Sequence, residues 1–225
     1  DGKILSAKVF TKGGKWFVSV AVELDEIQKP LPKTGKSVGL DLGITDLATL
    51  SDGTKIQAPK PLKNKLKKLR RLNKSLSRKQ KGSNNRKKAK TKLSRLHLNI
   101  RNIRADFLHK LTTDLVKQFD VICLENLNIK GMVQNRKLSR AISDLGFYEF
   151  KRQLIYKANQ WGKTVKEVDR FYPSSKTCHC CNHKVDNLPL SVRNWQCPSC
   201  NTNHDRDINA SVNILNHATK VLTMT

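Results

Sequence analysis

Apolar and polar residues alternate through residues 1–25. Val9 leads to a turn at Gly13-Gly14, and Trp16, Val18, Val20 and Val22 follow at period two. That period marks one face of a strand, and paired glycines suit a tight reversal, so the segment is predicted to be a β-hairpin. Pro30, Pro32 and Gly35 mark 26–36 as a linker. Residues 37–44 are predicted as a strand, with Val38, Leu40, Leu42 and Ile44 on one face and Gly39, Asp41 and Gly43 on the other. A second strand over 47–50, a turn at Asp52-Gly53 and a third strand over 55–57 complete an antiparallel series.

The period changes after residue 60. Leu62, Leu66, Leu69, Leu72 and Leu76 recur at three- and four-residue steps. After a break at Gly82-Ser83-Asn84-Asn85 the pattern resumes with Ala89, Leu93, Leu96, Ile100, Ile103, Phe107, Leu111 and Leu115. This predicts a helical hairpin with a narrow apolar seam. Residues 120–125 return to strand, 131–141 are polar and basic and predicted as a loop, and 143–161 form an amphipathic helix stopped by Gly162. A short strand over 164–168 precedes a cysteine-rich insert at 173–206, and Asp207 opens a last helix.

Charge sharpens this outline. The chain has 225 residues and a net charge of +26, from 44 Lys and Arg against 18 Asp and Glu. A compact domain carrying that charge repels itself unless a polyanion accompanies it, which favours nucleic acid as partner. The predicted helical hairpin concentrates the effect: residues 60–110 hold 20 Lys and Arg and a single acid, Asp106. A merely solvated face mixes both signs, so one sign alone suits a surface that follows phosphates. Lys67, Lys68, Arg70, Arg71, Arg78, Lys87 and Lys88 are the expected contacts. No apolar run reaches the roughly 18 residues of a membrane-spanning helix, and the cytoplasm, at a prokaryotic nucleoid, is the expected compartment. The chain opens within a strand-like run at Asp1, as a fragment of a longer protein would.

Cys178-x-x-Cys181 and Cys197-x-x-Cys200 are separated by residues 182–196, within the spacing of a four-cysteine zinc site. Two residues between thiolates let a tight turn aim both sulfurs at one ion, and two such turns complete a tetrahedron. A closed site of this kind is structural and would supply the folding energy of an insert too small for its own core. His179, Cys180 and His183 lie nearby as weaker competitors, and Cys123 is expected to be a core thiol.

Three acids stand in three different elements. Asp41 lies on the small, polar face of its strand, where Gly39 and Gly43 would let ions or a phosphate backbone come close. Glu125 ends the strand that carries Val121 and Cys123 on the same face. Asp207 begins the last helix, with Asp205 as a weaker alternative. Each alone is more simply a cap or a solvated side chain. Together they match phosphodiester hydrolysis, in which two Mg²⁺ ions roughly 4 Å apart are held by carboxylate oxygens.

The motifs Val38-Gly39-Leu40-Asp41-Leu42-Gly43-Ile44, Leu124-Glu125-Asn126-Leu127, the paired cysteines and Asp205-Arg206-Asp207-Ile208-Asn209-Ala210, in this order, resemble the TnpB family. These are transposon-encoded proteins related to type V CRISPR effector nucleases. The resemblance runs over about residues 1–216. It implies an α/β fold: an RNase H-like (RuvC) mixed sheet with a basic helical-hairpin insertion and a Cys₄ zinc ribbon. It implies 1–36 as hairpin and linker left from a preceding wedge-type β domain, 37–172 as nuclease core with the insertion at about 60–118, 173–206 as zinc ribbon, and 207–225 as final helix and tail. It further implies an RNA-guided DNA endonuclease. Asp41 would bridge two Mg²⁺ ions, and Glu125 and Asp207 would each complete one site. Water attack would leave a 5′-phosphate. Guide RNA and target DNA are the implied partners, and the transposon setting admits a transposase encoded by the same element. Arg170, Ser174, Ser175 and Lys176 resemble the family's approach to the ribbon and are expected to touch substrate.

Three other readings fit parts of the sequence. Gly39-Leu40-Asp41-Leu42-Gly43 also resembles the phosphate loop of actin- and Hsp70-like ATPases, but that fold needs a second lobe. A DDE transposase orders its carboxylates Asp, Asp, Glu, whereas Glu is in the middle here. A non-catalytic zinc-ribbon nucleic-acid binder would need only the basic hairpin and the ribbon.

Overall fold

The structure is a computed structural model that describes residues 2–24 and 29–220. Positions 26–28 of the expected linker and 221–225 of the expected tail lie outside the described residues. Contacts group the chain into two units, one of residues 1–29 and 59–107, the other of 30–58 and 108–225.

In the first unit, β1 (Gly2–Lys12) pairs antiparallel with β2 (Lys15–Leu24), with a register irregularity between Ile4 and Ser6. Gly13 and Gly14 make the turn at φ of 62° and 69°. That left-handed pair is what a two-residue hairpin loop of matching twist requires. The Gly13 carbonyl accepts a bond from Arg95 Nε at 3.1 Å. The helical hairpin is α1 (Pro61–Ser77) and α2 (Asn84–Gln118), the latter continuing into the second unit. Pro61 opens α1, where a missing N–H costs nothing. Arg86 donates to the carbonyls of Leu76 and Lys79, capping the end of α1. The seam leucines 62, 66, 69, 72 and 76 are half-buried.

The second unit is built on a mixed five-stranded sheet in the order β5-β4-β3-β6-β7. Its strands are β3 (Ser37–Asp41), β4 (Ala48–Leu50), β5 (Lys55–Ile56), β6 (Val121–Glu125) and β7 (Thr164–Val168). β3, β4 and β5 are antiparallel neighbours, as the turn signals predict, while β3, β6 and β7 run parallel. Strand β3 is shorter than predicted. It stops at Asp41, and the chain from Leu42 folds back so that Gly43 N–H meets the Leu47 carbonyl.

Between β6 and β7 the structure departs from the sequence pattern. The predicted loop at 131–141 holds α3 (Ile129–Gln134) and the start of α4 (Ser139–Leu145). The predicted helix over 143–161 is interrupted at Gly146, φ 74°, and restarts as α5 (Phe147–Gln160). A left-handed glycine ends one helix and redirects the next. Phe147, Phe150 and Leu154 of α5 are almost fully buried. Lys157 reaches from α5 to the His109 carbonyl and the hydroxyls of Thr112 and Thr113 on α2.

The last helix, α6 (Arg206–Lys220), lies on β3 and β6, with Ile214 and Ala218 in one cluster with Cys123 and Val168. Gly39 permits this. A Cβ there would overlap the Ser211 carbonyl and stand 2.8 Å from the Leu215 nitrogen. What approaches Gly39 is therefore helix backbone, not an ion or phosphate. Backbone cannot rotate away, so Gly39→Ala is expected to cost about 3 kcal/mol or more, the upper end for overpacking, in urea unfolding.

Residues 30–36 are stitched to the sheet. Thr34 and Gly35 donate backbone N–H bonds to Asp120, and buried Lys163 donates to Asp120 at 2.5 Å and to the Pro32 carbonyl at 2.6 Å. The Lys163 ammonium first, and the Thr34 N–H next, hold the Asp120 carboxyl well below the usual carboxylate range. Its stabilisation is complete above about pH 4, the unfolded value, and is lost as pH falls through the folded one. Asp120→Asn is expected to lower Tm at neutral pH and to flatten its decline in acid.

Candidate active site and cysteine cage

The register of the sheet brings two of the three acids together. Leu40 pairs with Leu124 in the parallel β3–β6 ladder, so Asp41 and Glu125 are the next residues on adjacent strands and leave the same face. Asp207, in the first turn of α6, completes the group: all three line one cleft, with residues 42–46, Ser174, Ser175, Arg193 and Arg206. Burial first, then the charges of Glu125 and Asp207, push the Asp41 carboxyl well above its ordinary range, against opposing pulls from Arg206 and Arg193. Burial also raises Glu125, opposed by a bond from Ser174 Oγ at 2.6 Å. Among the described residues, only the four cysteines and an overlapping set of two cysteines with His204 bring three or more ligand atoms within 4.8 Å of one another. The carboxylates thus line a common cleft without converging on one point.

Neighbours explain how each acid is held. Asp205 Oδ1 accepts the backbone N–H groups of Asp207 and Ile208, and Oδ2 meets Lys55 at 2.7 Å. It is the cap of α6, which leaves Asp207 to face the cleft. Arg193 donates to Asp207 at 3.1 Å. Arg206 is buried and donates to the Pro189 carbonyl at 2.6 Å, holding the insert against the helix that bears Asp207. Asn209 and Asn213, one turn apart on α6, both donate to the carbonyls of Ser174 and Thr177. They fix the 3₁₀ turn Ser174–Lys176 that carries the Glu125 partner. Sequence reasoning missed Arg193, Asn209 and Asn213 as site residues. The Asn209–Asn213 spacing on one helix face was the available signal; Arg193 had none.

The four cysteines do come together. Cys178 and Cys200 sulfurs are 3.6 Å apart, as are those of Cys181 and Cys197, and no pair is bonded as a disulfide. Four sulfurs tetrahedrally placed around one zinc stand about 3.8 Å apart for Zn–S of about 2.3 Å, so this donor set fits that ion. Both turns share one geometry. Each first cysteine accepts from the residue four on, Asn182 or Asn201, at 2.9 Å. Each also donates to the carbonyl five on, His183 or Thr202. Asn182 and Asn201 have φ of 61° and 60°, a left-handed conformation asparagine tolerates. A Cys-x-x-Cys-Asn repeat was therefore legible at both turns. Strands β8 (Asn194–Gln196) and β9 (Asn203–Asp205) pair behind the cage, and buried Trp195, Leu188 and the cage cysteines pack together. His204 Nε2 lies 3.1 Å from Cys178 Sγ, so Cys178, Cys180 and His204 form a second, overlapping ligand set. His179 bonds to Asn209 instead, and His183 is exposed.

The residues expected to meet nucleic acid are placed as follows. Lys67, Lys68, Arg70 and Arg71 on α1, Arg78 after it, and Lys87 and Lys88 on α2 are all exposed. Arg170 is exposed, with Nε donating to the Asn126 carbonyl. Ser174 is buried, and its hydroxyl is committed to Glu125. Ser175 accepts from Arg206, and Lys176 donates to the Asp186 carbonyl.

Residues 18–136, more than half the chain, match the OrfB_IS605 family, described as "Probable transposase". The chain belongs to the OrfB_IS605 family. Residues 147–214 match the Cas12f1-like TNB domain, a segment spanning all four cage cysteines. A Streptomyces pristinaespiralis protein named "Putative RNA-guided DNA endonuclease" is 45% identical over 91% of this chain and 50% of its own length. An Escherichia coli K12 protein, "Putative RNA-guided DNA endonuclease InsQ", is 37% identical over 95% of this chain and 56% of its own. The chain spans about half the length of these curated relatives. Its fold matches a Cas12f1 structure solved with sgRNA and target DNA, at TM-score 0.58 and 17% identity, over 93% of this chain and 55% of that one. The TnpB resemblance read from the motifs is borne out in family and in α/β fold. No helix among the described residues is long and apolar enough to cross a membrane.

Proposed function

We propose that this OrfB_IS605 chain is the nuclease portion of an RNA-guided DNA endonuclease, with an RNase H-like (RuvC) sheet as its core. One observation carries the reading: Asp41, Glu125 and Asp207, from three separate elements, line a single cleft in a family whose members include proteins named for that activity. Asp41, Glu125 and Asp207 would hold two Mg²⁺ ions. Burial first, and the charges of Glu125 and Asp207 next, disfavour an ionised Asp41, and dications offset both. When bound, the ions would neutralise the scissile phosphate, ease deprotonation of the attacking water and stabilise the leaving oxygen.

The chain's own residues set the stage for that chemistry. Ser174 fixes Glu125 in one orientation through its hydroxyl. The Asp205 cap and the Arg193 contact hold Asp207 at the cleft wall. Arg193 and Arg206 line the same cleft and give a phosphate group positive neighbours. Attack of water on phosphorus would break the bond to the 3′ oxygen and leave a 5′-phosphate. The exposed basic faces of α1 and of residues 84–104 of α2 would follow the phosphates of guide or target. The cysteine cage would hold zinc and position Arg193. We place the nuclease core at 37–172, the cage insert at 173–206 and the closing helix from 207.

The Arg193–Asp207 ion pair favours one alternative, a nucleic-acid binder whose acids no longer meet metal. Mg²⁺-dependent cleavage of guide-matched DNA by the full-length parent with its co-purified RNA decides between them. Cleavage that Glu125→Gln abolishes supports the nuclease. Binding by both proteins without cleavage by either would leave the binder. Reversing the charges of Lys67, Lys68, Arg70 and Arg71 is expected to weaken binding and lower its salt slope by several units, about one for each phosphate that is no longer neutralised.

A further inference from the structure

A second concave site lies beyond the end of β6, apart from the carboxylate cleft. Leu127, Ile129 and Ile155 give it an apolar lining, and Tyr148 lines it as well. Two residues of chain span at most about 7 Å, and Leu127 is two residues past Glu125. The pocket therefore begins within about two stacked nucleotide steps, at about 3.4 Å each, of the strand end that carries Glu125.

Helix α5 shows why the pocket is open. Its buried stripe is Phe147, Phe150, Leu154 and Ala158. Tyr148, Lys151, Arg152 and Ile155 fall at the three-, four- and seven-residue steps of another face. Tyr148 is 69% exposed, a large aromatic surface with no packing role in the core. The rim is cationic. Lys151 and Arg152 are paired with Glu167 and Glu149, while Lys130 and Arg170 bring two further positive charges without carboxylate partners among the ion pairs of this rim. An apolar and aromatic lining with net positive charge has the chemistry that receives a nucleobase with its phosphate.

We propose that this pocket seats one unpaired nucleobase of the strand held at the carboxylate cleft, with Tyr148 against the ring and Lys130 and Arg170 near its phosphates. The proposal rests on the nuclease reading for the identity of the strand. A base inside a duplex is stacked and paired and cannot enter such a pocket, so the site selects single-stranded nucleic acid.

The test compares two probes bound by the zinc-loaded chain with magnesium omitted. One is a fluorescein-labelled oligothymidine of about ten nucleotides, within the usual span of a single-strand site. The other is an abasic strand of the same length, which keeps the phosphates and lacks the rings. The basic surface binds both, so the preference for rings isolates the pocket. The parent is expected to prefer oligothymidine, and Tyr148→Ala to lose about tenfold of that preference, within the range for one base–aromatic stack. Tyr148→Phe should keep it. A parent without preference for rings, or a Tyr148→Ala variant that retains it, overturns the proposal. Failure of the nuclease reading would appear separately, as uncut DNA in magnesium, and leaves this binding measurement unaffected.

Discussion

On the proposed nuclease reading, Asp41→Asn is expected to remove magnesium-dependent DNA cleavage and, in the metal-free chain, to raise the unfolding temperature. The first effect is expected to be at least about a thousandfold, since metal-ion charge stabilisation is worth several kcal/mol and each 1.4 kcal/mol is tenfold. The second follows from the sign of the perturbation. Burial and the neighbouring Glu125 and Asp207 raise the Asp41 pKa in the fold, so its ionised form is disfavoured there. Stability is full below the unfolded value near 4 and is lost as pH rises through the folded one. A neutral amide escapes that loss. Differential scanning fluorimetry across pH, with and without Mg²⁺, reads both parts. Mg²⁺ should stabilise the parent at neutral pH and leave Asp41→Asn nearly unmoved. A variant that cuts at the parental rate, or gains no stability without metal, would sink the assignment of Asp41.

Removing zinc is expected to unfold the insert. Structural zinc in small cysteine sites contributes about 10–16 kcal/mol, and here the apolar packing behind the cage is limited to Trp195, Leu188 and a few partly buried valines. With no ion, burial pushes the Cys178 thiol up to about 12, so a thiolate there depends on the dication. Chelation, or Cys197→Ala, should expose 173–206 to protease while the sheet stays protected. The cleft should fail with it, because Arg193, Leu190 and Ser174 reach it from this segment. An insert that keeps its protease resistance without metal would refute the cage as its source of stability.

These outcomes bear on how much of the molecule was legible in its sequence. Strands β3 and β6 and the two cysteine turns were, because their signals are local: an apolar run, a period, a spacing of two. The grouping of Asp41, Glu125 and Asp207 came from order along the chain and from family resemblance, and the parallel register supplies its physical basis. Helix α3 and the start of α4 were missed because segments this short carry no apolar period long enough to see. Gly146 was read as helix interior because its left-handed φ is a property of the turn between α4 and α5. Gly39 was identified as a place of close approach, but the approaching group, the backbone of α6, lies far along the chain. Ser174 and Arg193 gain their roles only from tertiary placement, which no local pattern encodes.

That long-distance contact at Gly39 has a consequence during synthesis. Strands β3 and β6 leave the ribosome well before α6, and pairing across such a separation is slow to form. Until α6 arrives, the nascent chain displays Asp41 and Glu125 on a sheet face that is itself bare, because the helix covers the face that carries Gly39 and Cys123. It lacks Asp207 and the asparagines that fix Ser174. The carboxylate cleft is thus timed by translation itself: it can close only after the residues through Asn213 have been made.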